Sequence, residues 1–151
     1  MKATCDQPEL AELRDKEKQA FRLVNQLRRF ANLTYTSRFL LDTAATGAVT
    51  PAWTSDTVPE GVTWAVTADV IGIATAGGAG RAWYELRGLF YRNVGGALTQ
   101  ESVTAVSLSI ETPAGFDASL SVSGNTVLAN VRDDGVRTVS WSVLIQAREV
   151  S

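Results

Sequence analysis

The side chains that most often perform catalysis near neutral pH are almost absent from this chain of 151 residues. It contains no histidine, which is the commonest proton-transfer group and metal ligand. Its single cysteine, Cys5, lies among polar residues and has no second cysteine with which to form an internal disulfide or a zinc site. A histidine-based triad is therefore excluded, and we expect neither a metal nor another cofactor.

Carboxylates are the remaining candidates for acid–base chemistry, and a glycoside hydrolase needs two of them across a cleft. The acids at predicted strand positions or strand ends are Asp69, Glu85, Glu101, Glu111 and Asp117. They share no spacing, and structural or solvated carboxylates are far commoner than catalytic ones. Asp133 and Asp134 lie in a predicted turn, where aspartate bonds to the local backbone. We expect no enzyme, with a two-carboxylate glycan hydrolase as the remote alternative.

Two motifs suggest anion binding but lack the partners that such sites need. Gly77-Gly78-Ala79-Gly80 is not followed by Lys and Ser or Thr, nor by a predicted helix, so a flexible hairpin tip is expected instead of a phosphate loop. Arg22, Arg28 and Arg29 share a predicted helix with several acids. With 14 basic and 16 acidic residues in the chain, this balance gives little attraction for phosphates and argues against a nucleic-acid partner.

Three aromatic side chains are difficult to place in the core of one subunit. The aromatics at inward-facing strand positions are Trp64, Tyr84, Phe90 and Trp141. Trp53, Trp83 and Tyr91 are less easily buried. Because aromatics concentrate in interface cores, we predict that these three belong to a subunit interface, with a sugar-stacking platform as the alternative.

The first part of the chain, residues 1–33, is predicted to form an amphipathic helix. Apolar residues recur at helical spacing from Pro8 to about Asn32, behind a cap at Asp6. The apolar side chains expected to contact a neighbouring subunit are Leu10, Leu13, Phe21, Val24 and Leu27. The width of their stripe leaves open whether the helix forms a coiled coil or packs on the protein body.

From Leu33 onward the apolar period changes to two, which predicts strands. Residues 34–61 are expected to form a strand and then an extended arm, since the segment from Asp42 is rich in Pro, Gly, Ser and Thr. Residues 62–151 predict a long hairpin and four further strands. Together these features favour a mainly β fold, with an N-terminal helix followed by an antiparallel β-sandwich of jelly-roll type.

The order of turns and aromatics in the second half of the chain is informative. At Arg81 to Gly96 a strand with aromatics, a glycine and arginines leads into a Gly-Gly turn. A later hairpin, Ala118 to Asn125, is followed by Val127 to Gly135 and by a strand that reaches Trp141. Over roughly Gly61 to Val150 this order resembles the β domains of phage virion proteins, particularly tail-fibre-like and related appendage subunits.

The resemblance implies a non-enzymatic structural subunit of a virion that forms a homo-oligomer, commonly a trimer, and docks to other virion proteins. It leaves open whether the chain belongs to a tail fibre, baseplate, neck or capsid surface. A carbohydrate-binding module that recognises a host glycan is the alternative.

No apolar stretch approaches the roughly twenty residues that span a bilayer, and Met1 to Pro8 lack the features of a secretory signal. We therefore expect synthesis in the host cytoplasm and no membrane partner.

Overall fold

The structure, a computed structural model, describes residues 34–150. The helix predicted for residues 1–33 lies outside the described residues, and so do its proposed contact residues Leu10, Leu13, Phe21, Val24 and Leu27. Within residues 34–150 no helix has the length and apolar character needed to cross a bilayer.

Nine β-strands form two antiparallel sheets in the described part of the chain. They are β1 (Thr34–Ala44), β2 (Val49–Thr54), β3 (Val62–Ala76), β4 (Arg81–Arg92), β5 (Leu98–Gln100), β6 (Ala105–Thr112), β7 (Asp117–Ser123), β8 (Thr126–Arg132) and β9 (Thr138–Val150). The larger sheet has the order β1-β9-β3-β4, with β5 and β6 both paired to β4, and the smaller sheet has the order β2-β8-β7. The predicted mainly β, antiparallel character is confirmed, and the jelly-roll class stays a prediction.

One hydrophobic core is built from alternate residues of both sheets. Of the aromatics predicted at inward-facing positions of β3, β4 and β9, Tyr84, Phe90 and Trp141 are buried, and Trp64 is partly buried against the core. The larger sheet contributes Val66, Val70, Tyr84, Leu86, Phe90, Val139, Trp141, Val143 and Ile145 to this core. The smaller sheet contributes Trp53, Ala118, Leu120, Val127, Ala129 and Val131. Each of β3, β4, β7, β8 and β9 therefore has one face in the core, as its period of two predicted.

The segment predicted as an arm contains part of the smaller sheet. β1 continues to Ala44, and β2 then pairs with β8. A β-bulge between Pro51 and Trp53 shifts the register, so that Trp53 pairs with the buried Ala129. Because a bulge changes which face the following side chains occupy, Trp53 is only 6% exposed and lies 6.4 Å from Phe39 between ring centroids. The expectation that Trp53 is difficult to bury within one subunit is wrong.

Trp141 on β9 is packed from several directions. Its ring meets Phe116 edge to face, with centroids 5.9 Å apart, and its Nε1 donates a hydrogen bond of 3.1 Å to Thr43 Oγ1. A Cβ atom added at Gly72 of β3 would lie 2.6 Å from Trp141 Cζ3. The neighbouring strand must therefore carry a glycine at this position, because any side chain would overlap the ring.

We expect Gly72→Ala to lower the free energy of unfolding by about 1–3 kcal/mol, the usual range for overpacking a well-filled core. Urea denaturation followed by tryptophan fluorescence measures this change. Thr67→Ala, on the exposed side of the same strand, is the matched control and should change the stability by about 0.5 kcal/mol or less. Equal effects of the two substitutions would contradict the packing described for Trp141.

Candidate functional site

The larger sheet has a second face, which points away from the smaller sheet and is called the outer face below. Strand pairing aligns Leu40 with Ser142, Ser142 with Ile71, Ile71 with Trp83, and Trp83 with Ile110. These five residues form one line across β1, β9, β3, β4 and β6, called the outer row. Directly opposite side chains lie about 5 Å apart between Cβ atoms, so the outer row is a continuous band with four large hydrophobic members.

The hydrophobic members of the outer row are open to solvent in this chain. Leu40 is 76% exposed, Ile110 is 53% exposed and Trp83 is 42% exposed. Ile73 is exposed next to them, and a shallow groove of about 620 Å³ is lined by Ile71, Ile73, Trp83 and Ile110 together with Arg81 and Thr112. Contiguous exposed apolar surface of this kind marks binding sites more often than isolated exposed residues do.

β6 turns its apolar side toward the outer face. Ile110 and Leu108 pair with Trp83 and Glu85, which lie on that face, whereas Ser109 pairs with the buried Tyr84. Apolar and polar residues alternate in β6, but alternation alone does not determine which way the apolar side faces. The strand therefore adds hydrophobic area to the outer face and not to the core.

Charged side chains flank the outer row on both sides, and near each end of the row the two sides carry opposite charges. On one side, pairing aligns Arg38, Leu144, Asp69 and Glu85 in a line across the sheet. On the other side it aligns Asp42, Ser140, Ile73 and Arg81. At the β1 end, Arg38 and Asp42 thus stand on either side of Leu40, and at β4 Glu85 and Arg81 stand on either side of Trp83. Within residues 34–150 none of these four charges forms an ion pair. Three of them bond to serines: Arg38 donates to Ser142, Glu85 accepts from Ser107, and Asp42 accepts from Ser140.

The candidate carboxylates are mostly engaged in local structure. Glu111 accepts hydrogen bonds from the Tyr84 hydroxyl and from the amide of Gly115, each at 3.2 Å. Burial, followed by the charge of Glu111, raises the pKa of Tyr84 well above its usual value. Asp69 and Glu85 are the two acids that the structure brings directly opposite each other, on the outer face. Nothing in their spacing along the chain indicated this pairing.

The three aromatics predicted as an interface or a sugar platform do not lie together. Trp53 is buried in the core, as described above. Trp83 and Tyr91 both belong to β4 and lie on the same side of the strand, but they are eight residues apart. At about 3.4 Å per residue this places them about 27 Å apart. Trp83 alone joins the outer row.

The turn motif that carries the family resemblance holds loops in place. Arg92 donates hydrogen bonds to the carbonyls of Gly96 and Val58, at 2.9 and 3.1 Å, and pairs with Glu60 at 3.1 Å. Asn125 of the later hairpin accepts a hydrogen bond of 3.2 Å from the amide of Leu98. These motif residues therefore fix one end of the two-sheet structure and leave the outer row unassigned by the resemblance.

At the other end, the two aspartates of the β8–β9 turn act as predicted, through backbone bonds. Asp133 Oδ1 accepts hydrogen bonds from the amides of Gly47, at 2.6 Å, and Gly135, at 2.8 Å, so it joins two distant turns. Burial by itself would raise the pKa of Asp133, but these amides outweigh it and hold the pKa below its usual value. Asp134 accepts bonds from the amides of Val136 and Arg137 and pairs with the Arg137 guanidinium.

The Gly77–Gly80 tip packs against this turn as well. Arg137 Nε donates a 3.1 Å hydrogen bond to the carbonyl of Ala79, and a Cβ at Gly77 would lie 2.5 Å from the Val136 carbonyl oxygen. Backbone and guanidinium therefore occupy the space around this loop. Its glycines serve a close approach between two turns, which supports the hairpin interpretation of this motif.

Sequence reasoning missed the outer row, although one signal was present. Ile71 and Ile73 occupy outward positions of β3, where a sheet that faced water would carry polar residues. Leu40 occupies an outward position of β1 in the same way, with 76% of its surface exposed. Strand order was needed to connect these positions to Trp83 and Ile110.

No family model matches this chain, and no curated protein matches it. Three solved structures are similar to part of it. The tailspike protein of Acinetobacter baumannii phage AM24 has 10% sequence identity and a TM-score of 0.47, and the match covers 75% of this chain and 26% of that one. The tailspike of Acinetobacter phage vB_ApiP_P1 has 17% identity and a TM-score of 0.47, with 76% and 22% covered.

The third is tailspike protein gp49 of Acinetobacter baumannii bacteriophage Fri1, described as a capsular polysaccharide depolymerase. It has 16% identity and a TM-score of 0.35, with 79% of this chain and 20% of that chain covered. This chain thus corresponds to about a quarter or less of the length of each tailspike. With TM-scores below 0.5, these similarities are too distant to assign a role to any residue.

Asp133 is expected to make the fold sensitive to acid. Because its pKa is lower in the folded chain than in the unfolded chain, its stabilising contribution is complete above about pH 5 and is lost as the pH falls below about 4 and through the lowered pKa of the folded chain. Asp133→Asn should lower the free energy of unfolding at pH 7 by about 1–3 kcal/mol and make the stability less dependent on pH. Urea denaturation at a series of pH values measures both effects.

The matched control is Asp117→Asn, because Asp117 is exposed and its pair with Arg132 is long, at 3.8 Å. This substitution should leave the curve of stability against pH close to that of the unaltered chain. An Asp133→Asn variant with an unchanged curve would contradict the role given to the two backbone amides.

Proposed function

We propose that this chain is a non-enzymatic structural subunit of a phage virion, in a tail fibre, baseplate, neck or capsid-surface component, that acts by self-association and by docking to neighbouring virion proteins. The observation that carries the proposal is the outer row, a band of exposed hydrophobic side chains from Leu40 to Ile110. Such a band is costly to leave in water, at about 25 cal/mol for each Å² of apolar surface. A partner that covers it would therefore be stabilised by a large hydrophobic contribution.

The dimensions of the outer face are those of a protein interface. Five strands at a spacing of about 4.8 Å give a width of about 24 Å, and strands of 8 to 15 residues, about 12 on average, give a mean length of about 40 Å. The projected area is then about 950 Å². A standard interface buries about 800 Å² on each partner, so the outer face is large enough to hold a subunit.

The virion part of the proposal is supported by the resemblance carried by Arg81 to Gly96 and by the hairpin that ends at Asn125. That resemblance implies a homotrimer and leaves the component open among fibre, baseplate, neck and capsid surface. The contacts of Arg92 and Asn125 are those of structural residues, in agreement with a subunit that serves assembly. Other virion proteins are the proposed partners.

A carbohydrate-binding module for a host glycan is the second candidate, and one observation favours it. Trp83 lies exposed in the groove of about 620 Å³, beside Arg81 and Thr112. An indole face can stack on a sugar ring while a guanidinium and a hydroxyl donate hydrogen bonds to sugar oxygens. In this alternative Trp83 would act without Trp53 and Tyr91.

For the leading proposal, the purified full-length chain is expected to sediment as an oligomer at micromolar concentration. The oligomer should persist in about 1 M salt, because apolar burial is not screened as exposed charge pairs are. Sedimentation velocity measures the mass, and an epitope-tagged chain expressed in infected cells should be recovered in purified particles. A chain that stays monomeric and is missing from particles would exclude the proposal.

For the second candidate, a glycan array probed with the full-length chain is expected to give hits that Trp83→Ala removes. Tyr91→Ala is the matched control on the same strand and should keep the hits, because Tyr91 lies about 27 Å away. Loss of binding in both variants, or no hit with the unaltered chain, would count against a sugar site at Trp83.

A further inference from the structure

We infer that the partner on the outer face is the same face of a second copy, related by a twofold axis that runs along the outer row. The inference rests on the proposed function, because it specifies one surface through which the subunit associates. The order of residues across the larger sheet supports it.

Under this symmetry each hydrophobic residue of the outer row lies opposite the same residue of the second copy. A twofold axis along the row places each member opposite the same member of the second copy. Leu40 then meets Leu40, Ile71 meets Ile71, and Ile110 meets Ile110 across the interface. Two sheets packed face to face are about 10 Å apart, with interdigitated side chains. Such packing would remove the exposed apolar surface of both copies.

The charges provide the second argument, since the same axis pairs opposite signs. It exchanges the two lines that flank the outer row, so Arg38 comes opposite Asp42 of the second copy. Glu85 likewise comes opposite Arg81 of the second copy, whereas Asp69, on the same line as Glu85, comes opposite Ile73. Each of the two charge pairs occurs twice in the dimer, which gives four attractive contacts around the apolar band. Had both flanking lines carried the same sign at either end, the axis would have brought like charges together.

This contact joins two copies and cannot occur inside a ring of three. A closed trimer contains a threefold axis and no twofold axis. An isologous contact through the outer face therefore gives a dimer, or it joins two trimers into a hexamer. The inferred contact thus predicts an even number of copies, whether the other surfaces of the chain form a trimer or form no further contact.

The first experiment measures the mass of the full-length chain and of Leu40→Asp by sedimentation velocity. We expect an even-numbered assembly for the unaltered chain and at least about tenfold weaker association for Leu40→Asp, since it places two carboxylates opposite each other in an apolar band. Val103→Asp is the matched control, because Val103 is 87% exposed and lies in the loop between β5 and β6. It should associate like the unaltered chain.

The second experiment is a charge exchange. Arg38→Asp should weaken association about tenfold, because the twofold axis places the Arg38–Asp42 pair at two positions in the dimer and both are lost. The double variant Arg38→Asp with Asp42→Arg should recover the original affinity, since it restores opposite charges across the axis. Circular dichroism and thermal denaturation of each variant verify that the fold is retained.

The outcomes separate this inference from the proposed function. An even-numbered mass with recovery in the double variant supports both. Two results would overturn the twofold contact and leave the proposed structural role standing. The first is a trimer whose association Leu40→Asp does not weaken. The second is a trimer that Arg38→Asp dissociates and that the double variant does not restore. A monomer that is missing from particles overturns both proposals.

Discussion

The fold depends on the packing of one tryptophan ring. Trp141 lies on β9, between β1 and β3 in the larger sheet, and it contacts both neighbours: Thr43 accepts its Nε1 hydrogen bond, and Gly72 leaves space for its ring. Phe116 meets the ring from the segment before β7. Since protein interiors are close-packed, a change at any of these positions must be accommodated by the other three.

A second constraint follows from the unequal size of the two sheets. The three-stranded sheet shares its core with one face of the larger sheet, and the other face has no counterpart in residues 34–150. A sheet face in water normally carries polar side chains, but Leu40, Ile71, Trp83 and Ile110 stand in line on this one. The same architecture that buries Trp141 thus leaves a hydrophobic surface exposed on the other face of the larger sheet.

Much of the fold could be predicted, and the candidate site could not. The inward series of β3, β4 and β9 followed from alternation, and the turn of Asp133 and Asp134 followed from its residue types. β2 was missed, because Pro51 and a β-bulge interrupt the alternation around Trp53. The opposition of Asp69 and Glu85 was missed because it depends on the register of β3 against β4.

The sequence by itself determined the local properties of this protein: which segments alternate with a period of two, where the chain turns, and which catalytic side chains it lacks. Only the tertiary structure decided which side of each strand faces the core. The reason is physical, since alternation divides a strand into two faces but long-range pairing selects the face that is covered. Leu40 and Ile110 became members of one row because β9, β3 and β4 lie between their strands, a fact that no local pattern contains.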